Sequence, residues 1–265
     1  MSTIAVRPTP EVLLAADYVE QMLGRFVAIR AEHVSSKHEA FDLATKHLTY
    51  LAIRNIEAII ALARTDLVLY PAALTLARAA FEASARVIWL VQPVLLKDRL
   101  ARYLGLVAEQ VDAQRRVLDL AEHLPEAHSD IQSGLDELLD WQARIQAEFS
   151  LTPARVPKFK ELLRTINRPV LYGNYIVFSQ FSHGGSQAAE VFARQRSDGT
   201  YGDVIRLRDW FHALAFPCMA FRDAAFQTIR YLGLSRSRFL PRDFRESLDH
   251  ALTVLDNGVS ITPGV

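Results

Sequence analysis

The chain has 265 residues, half of them hydrophobic and 23% charged, with 30 basic and 30 acidic side chains. That balance describes a soluble globular protein able to bury a substantial core, and it excludes a disordered chain. A single cysteine, Cys218, excludes an intramolecular disulfide and thiolate-rich zinc sites, and fits a reducing compartment.

The opening MSTIAVRPTPEV has no basic run leading into an apolar core, so no secretory signal is read there. Helical periodicity then dominates, with no sustained strand alternation. A first amphipathic helix is expected over Pro10–Glu32. Ser36-Lys37-His38-Glu39 has capping-box spacing and should open a long helix to about Leu62. Tyr70-Pro71 marks the next start, because proline is tolerated at the first helical position. The helix it opens, to Val91, is apolar nearly all round and reads as central and buried. Arg78, Glu82, Arg86 and Pro93 interrupt that apolar stretch, which makes a membrane span too costly. A cytoplasmic protein is expected.

Gln92-Pro93 ends the central helix. A fourth helix to about Glu122 and an acidic one from Pro125 to near Phe149 should follow, then a loop at Thr152–Pro157 and a short helix at Lys158–Ile166. Between Arg168-Pro169 and Gly184-Gly185 lies another apolar helix, expected to be buried, with glycine suited to a left-handed C-cap. Ser197–Gly202 has turn composition. A long apolar helix, Arg206–Leu232, holds Pro217 and should kink there. Pro241–Leu255 reads as a last amphipathic helix. The fold class is therefore all-α, one bundle of about eight to ten helices. A helix within residues 1–34 and a helix and tail within 234–265 would flank a core at 35–233.

Charge is unevenly spread. Glu109–Glu148 carries ten acids and three bases, whereas Arg194–Arg245 carries ten arginines and five aspartates. Such asymmetry accompanies two solvated faces or an acid–base contact between helices, and also anionic partners.

Two polar clusters interrupt the apolar helices. On the central helix Arg78, Glu82 and Arg86 recur every four residues among alanines, so they stack along one face. Unpaired burial of such charges is expensive, so Arg78 and Glu82 should pair with each other or with another helix. The cluster is either an Arg–Glu–Arg ladder or the wall of an anion pocket, since guanidinium binds phosphate and carboxylate bidentately. Further along, Tyr175, Ser179 and His183 stand at the same spacing in an apolar segment. An imidazole, titrating ordinarily near about pH 6.5, serves as general acid or base, and Ser179 one turn away is within reach of it. The plain alternative is a satisfied core hydrogen-bond network. The chain has no Gly-x-Ser-x-Gly elbow, no Glu-x-x-His, no P-loop and no dinucleotide fingerprint, and no cofactor or metal is expected.

The runs DLVLYPAALTLARAAFEASARVIWL (66–90) and LYGNYIVFSQFSHGGS (171–186) resemble a bacterial domain-of-unknown-function family, number 5677. Its pattern pairs an A-x-x-L-x-R-x-x-x-E helix, matched by Ala73, Leu76, Arg78 and Glu82, with a Y-x-x-x-S-x-x-x-H-G helix, matched by Tyr175, Ser179, His183 and Gly184. The resemblance implies that the two clusters are neighbours. A more distant likeness is to HEPN domains, helical bundles that often dimerise and include metal-independent ribonucleases of toxin and phage-defence systems. Their motif places an arginine four to six residues before the histidine. Here the matching positions hold Val177, Phe178 and Ser179, so Arg78 or Arg86 would have to supply the cation.

That likeness implies a homodimeric protein acting on RNA or a nucleotide. His183 would be the acid or base, Arg78 the phosphate-stabilising cation and Glu82 its orienter. Tyr175, Ser179, Ser182 and Arg86 would bind substrate or anion. The alternatives are a non-catalytic module that senses a small anion, a nucleotide or a partner protein, and a purely structural bundle. The Arg206–Leu232 helix offers an apolar surface for a dimer.

Overall fold

The computed structural model describes residues 6–32, 39–121, 125–185, 190, 194–195, 201–202, 205–257 and 260–261. Among them ten α-helices follow in order. These are α1 (Pro10–Glu32), α2 (Glu39–Thr65), α3 (Tyr70–Val91), α4 (Leu96–Leu120), α5 (Pro125–Phe149), α6 (Phe159–Thr165), α7 (Tyr172–Ser182), α8 (Leu207–Tyr231), α9 (Arg236–Phe239) and α10 (Arg242–Asp256). The all-α multi-helix bundle is thus the observed fold. Short 3₁₀ turns at Leu67–Leu69 and Pro169–Leu171 lead into α3 and α7. Two-residue antiparallel pairings join Arg194–Gln195 to Tyr201–Gly202 and Ile205–Arg206 to Ser260–Ile261. The proposed cap residues Ser36–His38 and most of the turn at Ser197–Gly202 lie outside the described residues.

Helix α3 is central because its surface is small and apolar. Ala73, Ala77 and Ala80 are fully buried, and they meet α2 and α8 through one continuous core that includes Ile56, Ile59, Trp210, Leu214 and Phe221. Trp210 is fixed twice, by burial and by donating its indole N–H to the Leu67 carbonyl at 3.1 Å. Helix α8 runs through Pro217, which is itself buried. The apolar face of α8, read from sequence as a dimer surface, is instead covered by α3, α2, α1 and α10 within the chain. Its one thiol, Cys218, is buried beside the Met22 sulfur at 3.8 Å, and burial pushes it up to about 12.

The terminal helices are not peripheral. Val12, Ala15, Val19, Met22 and Phe26 of α1 and Leu248, Ala251, Leu252 and Leu255 of α10 belong to the same core. Asp66 secures the start of the chain by accepting from the Val6 N–H at 2.8 Å, and it caps the first 3₁₀ turn through Val68 N–H at 3.0 Å.

The C-terminal half of α3 builds a second cluster, with Phe81, Ala85, Ile88 and Trp89 against Leu100 of α4 and Leu162 and Leu163 of α6. Gly105 of α4 permits the loop before α6 to approach, since a Cβ there would stand 2.0 Å from the Ala154 carbonyl oxygen. The α4–α5 pair has its own small core of Val107, Val111 and Leu135. No helix among the described residues is long and apolar enough to cross a membrane.

Candidate functional site

Helix α7 is held against α3 by one anchor. Phe178 is its single buried residue, and it packs edge-on against Phe81 of α3 and Phe216 of α8 at ring distances of 6.5 and 6.1 Å. Phe181 adds an edge contact to Tyr70 at 5.8 Å. Most of the rest of α7 is half-buried, and Ile176 and Val177 are 47% and 41% exposed. The expected buried helix is therefore a surface helix. Its apolar residues are not confined to one stripe, so only one flank finds the core.

The helix stops at Ser182, and His183 is its C-cap rather than an interior residue. Gly184 adopts φ +65°, the left-handed conformation that glycine reaches without strain, and Gly185 N–H donates back to the Gln180 carbonyl at 2.7 Å. This closure turns the backbone after His183 and leaves the imidazole exposed at the helix end.

Arg78 of α3 reaches that imidazole. Its Nη1 lies 3.0 Å from His183 Nε2, its Nη2 donates to the Tyr175 hydroxyl at 3.0 Å, and its Nε donates to Glu82 Oε1 at 2.8 Å. The guanidinium carbon also sits 5.0 Å from the Tyr175 ring centroid, over its face. A guanidinium has donors only, so His183 Nε2 must be the acceptor and the neutral ring carries its proton on Nδ1. Arg78 has five N–H groups, and three are used by these bonds; two have no partner among the described residues. Burial alone would depress the Arg78 guanidinium, but its bonds to Glu82 and Tyr175 outweigh that and hold it above its ordinary value. The arginine stays charged. It is also preorganised, with its side chain 20% exposed and Glu82 33% exposed.

The two clusters therefore meet, but not with every member. Ser179 does not bond His183; its hydroxyl donates to the Tyr175 carbonyl at 2.7 Å. Ser182 likewise donates to the Phe178 carbonyl at 3.3 Å. Short hydroxyls on a helix commonly satisfy themselves on the carbonyl four residues back. Arg86 forms no ladder with Glu82, since it pairs with Glu109 of α4 at 2.8 Å. Arg86 instead lines a separate open cavity of about 620 Å³ with His47, Tyr103, Leu138 and Trp141. Eight residues on from Arg78, the helix has turned it toward α4.

Neighbours that the motif spacing did not reveal complete the surroundings. Phe159 packs on Tyr175 at 4.3 Å, Tyr172 stacks on Tyr175 at 5.7 Å and 23°, and Lys160 Nζ lies 5.5 Å from the Tyr172 ring centroid. The signal for Tyr172 was its place three residues before Tyr175, on one helical face. Phe159 and Lys160 come from α6 and had no local signal. Elsewhere, Arg206, Arg208, Arg236 and Arg238 lie at the surface, with Arg208 paired to Asp256 at 3.2 Å and Arg238 to Glu32. No group of three His, Cys, Asp or Glu side chains gathers among the described residues in a way that could hold a metal ion. Comparison with protein-family models, curated proteins and solved structures found nothing that matches this chain, so the two family likenesses rest on their motif residues alone.

Proposed function

We propose that this chain binds a phosphodiester of RNA or a nucleotide at Arg78, His183 and Tyr175 and cleaves it without a metal, as the HEPN likeness implies. The observation that supports this most is the 3.0 Å contact between Arg78 and His183 across 105 residues of sequence. A cation, an imidazole and a phenol converge on one exposed point, which is the minimum set for phosphoryl chemistry by side chains.

In this reading phosphate oxygens take the two remaining Arg78 N–H groups and draw the guanidinium away from His183. Nε2 is then released to accept the proton of the ribose 2′-hydroxyl. The 2′-oxygen attacks phosphorus, the bond to the 5′-oxygen breaks, and a cyclic phosphate forms. The leaving oxygen takes a proton from the Tyr175 hydroxyl, which is regained from the imidazolium through solvent. Glu82 keeps its hold on Arg78 Nε as the guanidinium turns. A cytoplasmic homodimer in a toxin or phage-defence setting belongs to the same proposal.

A non-catalytic nucleotide or anion sensor is favoured by one feature. Ser179 is turned onto the backbone, so Arg78 is the one side chain bonded to the imidazole among the described residues. Expression of wild type against His183→Ala, scored for growth arrest and RNA cleavage, separates the two. Cleavage by wild type alone supports the nuclease, and equal behaviour of the two proteins rejects it. Retained nucleotide binding without cleavage selects the sensor.

A further inference from the structure

The Arg78 cluster is one end of a longer row. From Arg78 the side chains run cation, ring, ring, cation, with Arg78 over Tyr175 at 5.0 Å, Tyr175 stacked on Tyr172 at 5.7 Å, and Lys160 over Tyr172 at 5.5 Å. Tyr175 is half-buried, with Arg78, Phe159 and Tyr172 all against it. Tyr172 is likewise half-buried, against the second cluster, and beside Tyr175 its ring carries the exposed Lys160, an ammonium on a long aliphatic stem that can move aside.

The segment carrying Lys160 is basic as well. Arg155, Lys158, Lys160, Arg164 and Arg168 are all exposed, against one acid, Glu161, between positions 154 and 168. Among the described residues, Arg168 is the one of these tied to a neighbouring acid, at 2.7 Å from Asp223. The sequence-level charge asymmetry pointed instead to Arg194–Arg245, where Arg208, Arg222, Arg238 and Arg242 are paired with acids.

A lone small anion would use Arg78 and leave the rest of this row idle. A base-paired duplex would offer no free base face to Tyr172. A single strand alternates phosphates with flat bases, and both parts find partners here. Resting on the phosphodiester reading above, we infer that the ligand is single-stranded RNA, with a base adjoining the Arg78-bound phosphate stacked on Tyr172 and a further phosphate held by Lys160. Tyr172 and Lys160 are binding residues in this scheme, and neither takes part in bond breaking.

Fluorescence anisotropy with a labelled short oligoadenylate RNA tests it, using full-length protein carrying His183→Ala so that the probe survives. Tyr172→Ala should weaken binding roughly tenfold, Tyr172→Phe should keep it, and Tyr172→Leu should lose it while preserving apolar bulk. Lys160→Ala should lower the slope of log affinity against log salt by about 0.7, one single-strand phosphate. The same oligonucleotide annealed to its complement should bind more weakly and be indifferent to Tyr172. If the single strand binds, depends on Arg78, and is unchanged by Tyr172→Ala and Tyr172→Leu, the stacking site is wrong and the phosphate site stands. If the parent protein binds neither strand form, the phosphodiester reading falls with it.

Discussion

Helices α7 and α8 both pack on α3, both are rich in aromatic and aliphatic residues, and they do opposite work. Helix α8 buries Trp210, Leu214, Phe221 and Ile229 completely or nearly so, and its alanines Ala213, Ala215 and Ala225 share one core with Ala73, Ala77 and Ala80 of α3. Helix α7 buries Phe178 alone and leaves Ile176 and Val177 in solvent. Apolar content is thus a poor guide to depth. What separates them is arrangement: α8 concentrates its apolar residues on a face that four other helices cover, whereas α7 spreads them round and can seat only one flank. The α8 seam supplies stability. The α7 seam, held by one anchor, carries the polar groups.

That contrast can be broken by substitution. The largest structural effect should come from Trp210→Ala, which opens a cavity and leaves the Leu67 carbonyl without its indole donor. A loss of about 3–5 kcal/mol in urea unfolding is expected. A loss below about 1 kcal/mol would show that α8 is not the stabilising seam. Arg78→Ala should do the reverse, costing no more than about 1 kcal/mol of stability while lowering RNA cleavage about a hundredfold or more. Arg78→Lys should not restore cleavage, because an ammonium cannot reproduce a planar fork spanning Glu82, Tyr175 and His183.

Gly184→Val sharpens the comparison further. The left-handed φ of +65° is strained for a β-branched residue, so the turn that presents His183 should shift and cleavage should fall, with the α8 core untouched. Retained cleavage would mean that this closure does not position His183. Ser179→Ala and Arg86→Ala should change cleavage least, less than about threefold, since one hydroxyl serves its own helix and the other side chain serves α4. The pH effect should be small and lie in the α8 seam. Burial holds His212 below the ordinary imidazole value, partly offset by Asp209. The unfolded chain then binds the proton more readily. The stabilising contribution is present above about pH 6.5 and is lost as pH falls through the unfolded value toward the folded one. Urea midpoints that do not fall on acidification, relative to His212→Phe, would remove this account of His212.

Much of the fold was legible because helix boundaries are written in local chemistry. Tyr70-Pro71, Gln92-Pro93, Leu124-Pro125 and Gly184-Gly185 each interrupt a helical pattern, and the observed helices respect them. Four-residue spacing placed Arg78 within reach of Glu82, and the two pair. Partners across helices were not legible, because spacing along one helix carries no information about which neighbour covers it. Arg86 found Glu109, and Tyr175 found Phe159, on helices α4 and α6. Four-residue spacing also misled at Ser179, where a nearer acceptor was available in its own backbone. The choice of α7 as a buried helix failed for the same reason: burial is decided by what packs around a helix.

The central claim is that Arg78 donates to His183 at the α3–α7 seam. It is tested most directly by nitrogen–proton correlation NMR of the His183 ring at a pH where it is neutral. The account predicts the proton on Nδ1 with Nε2 as acceptor, and a change in that tautomer on Arg78→Ala. A proton on Nε2 in the wild-type protein, unaltered by Arg78→Ala, would contradict it.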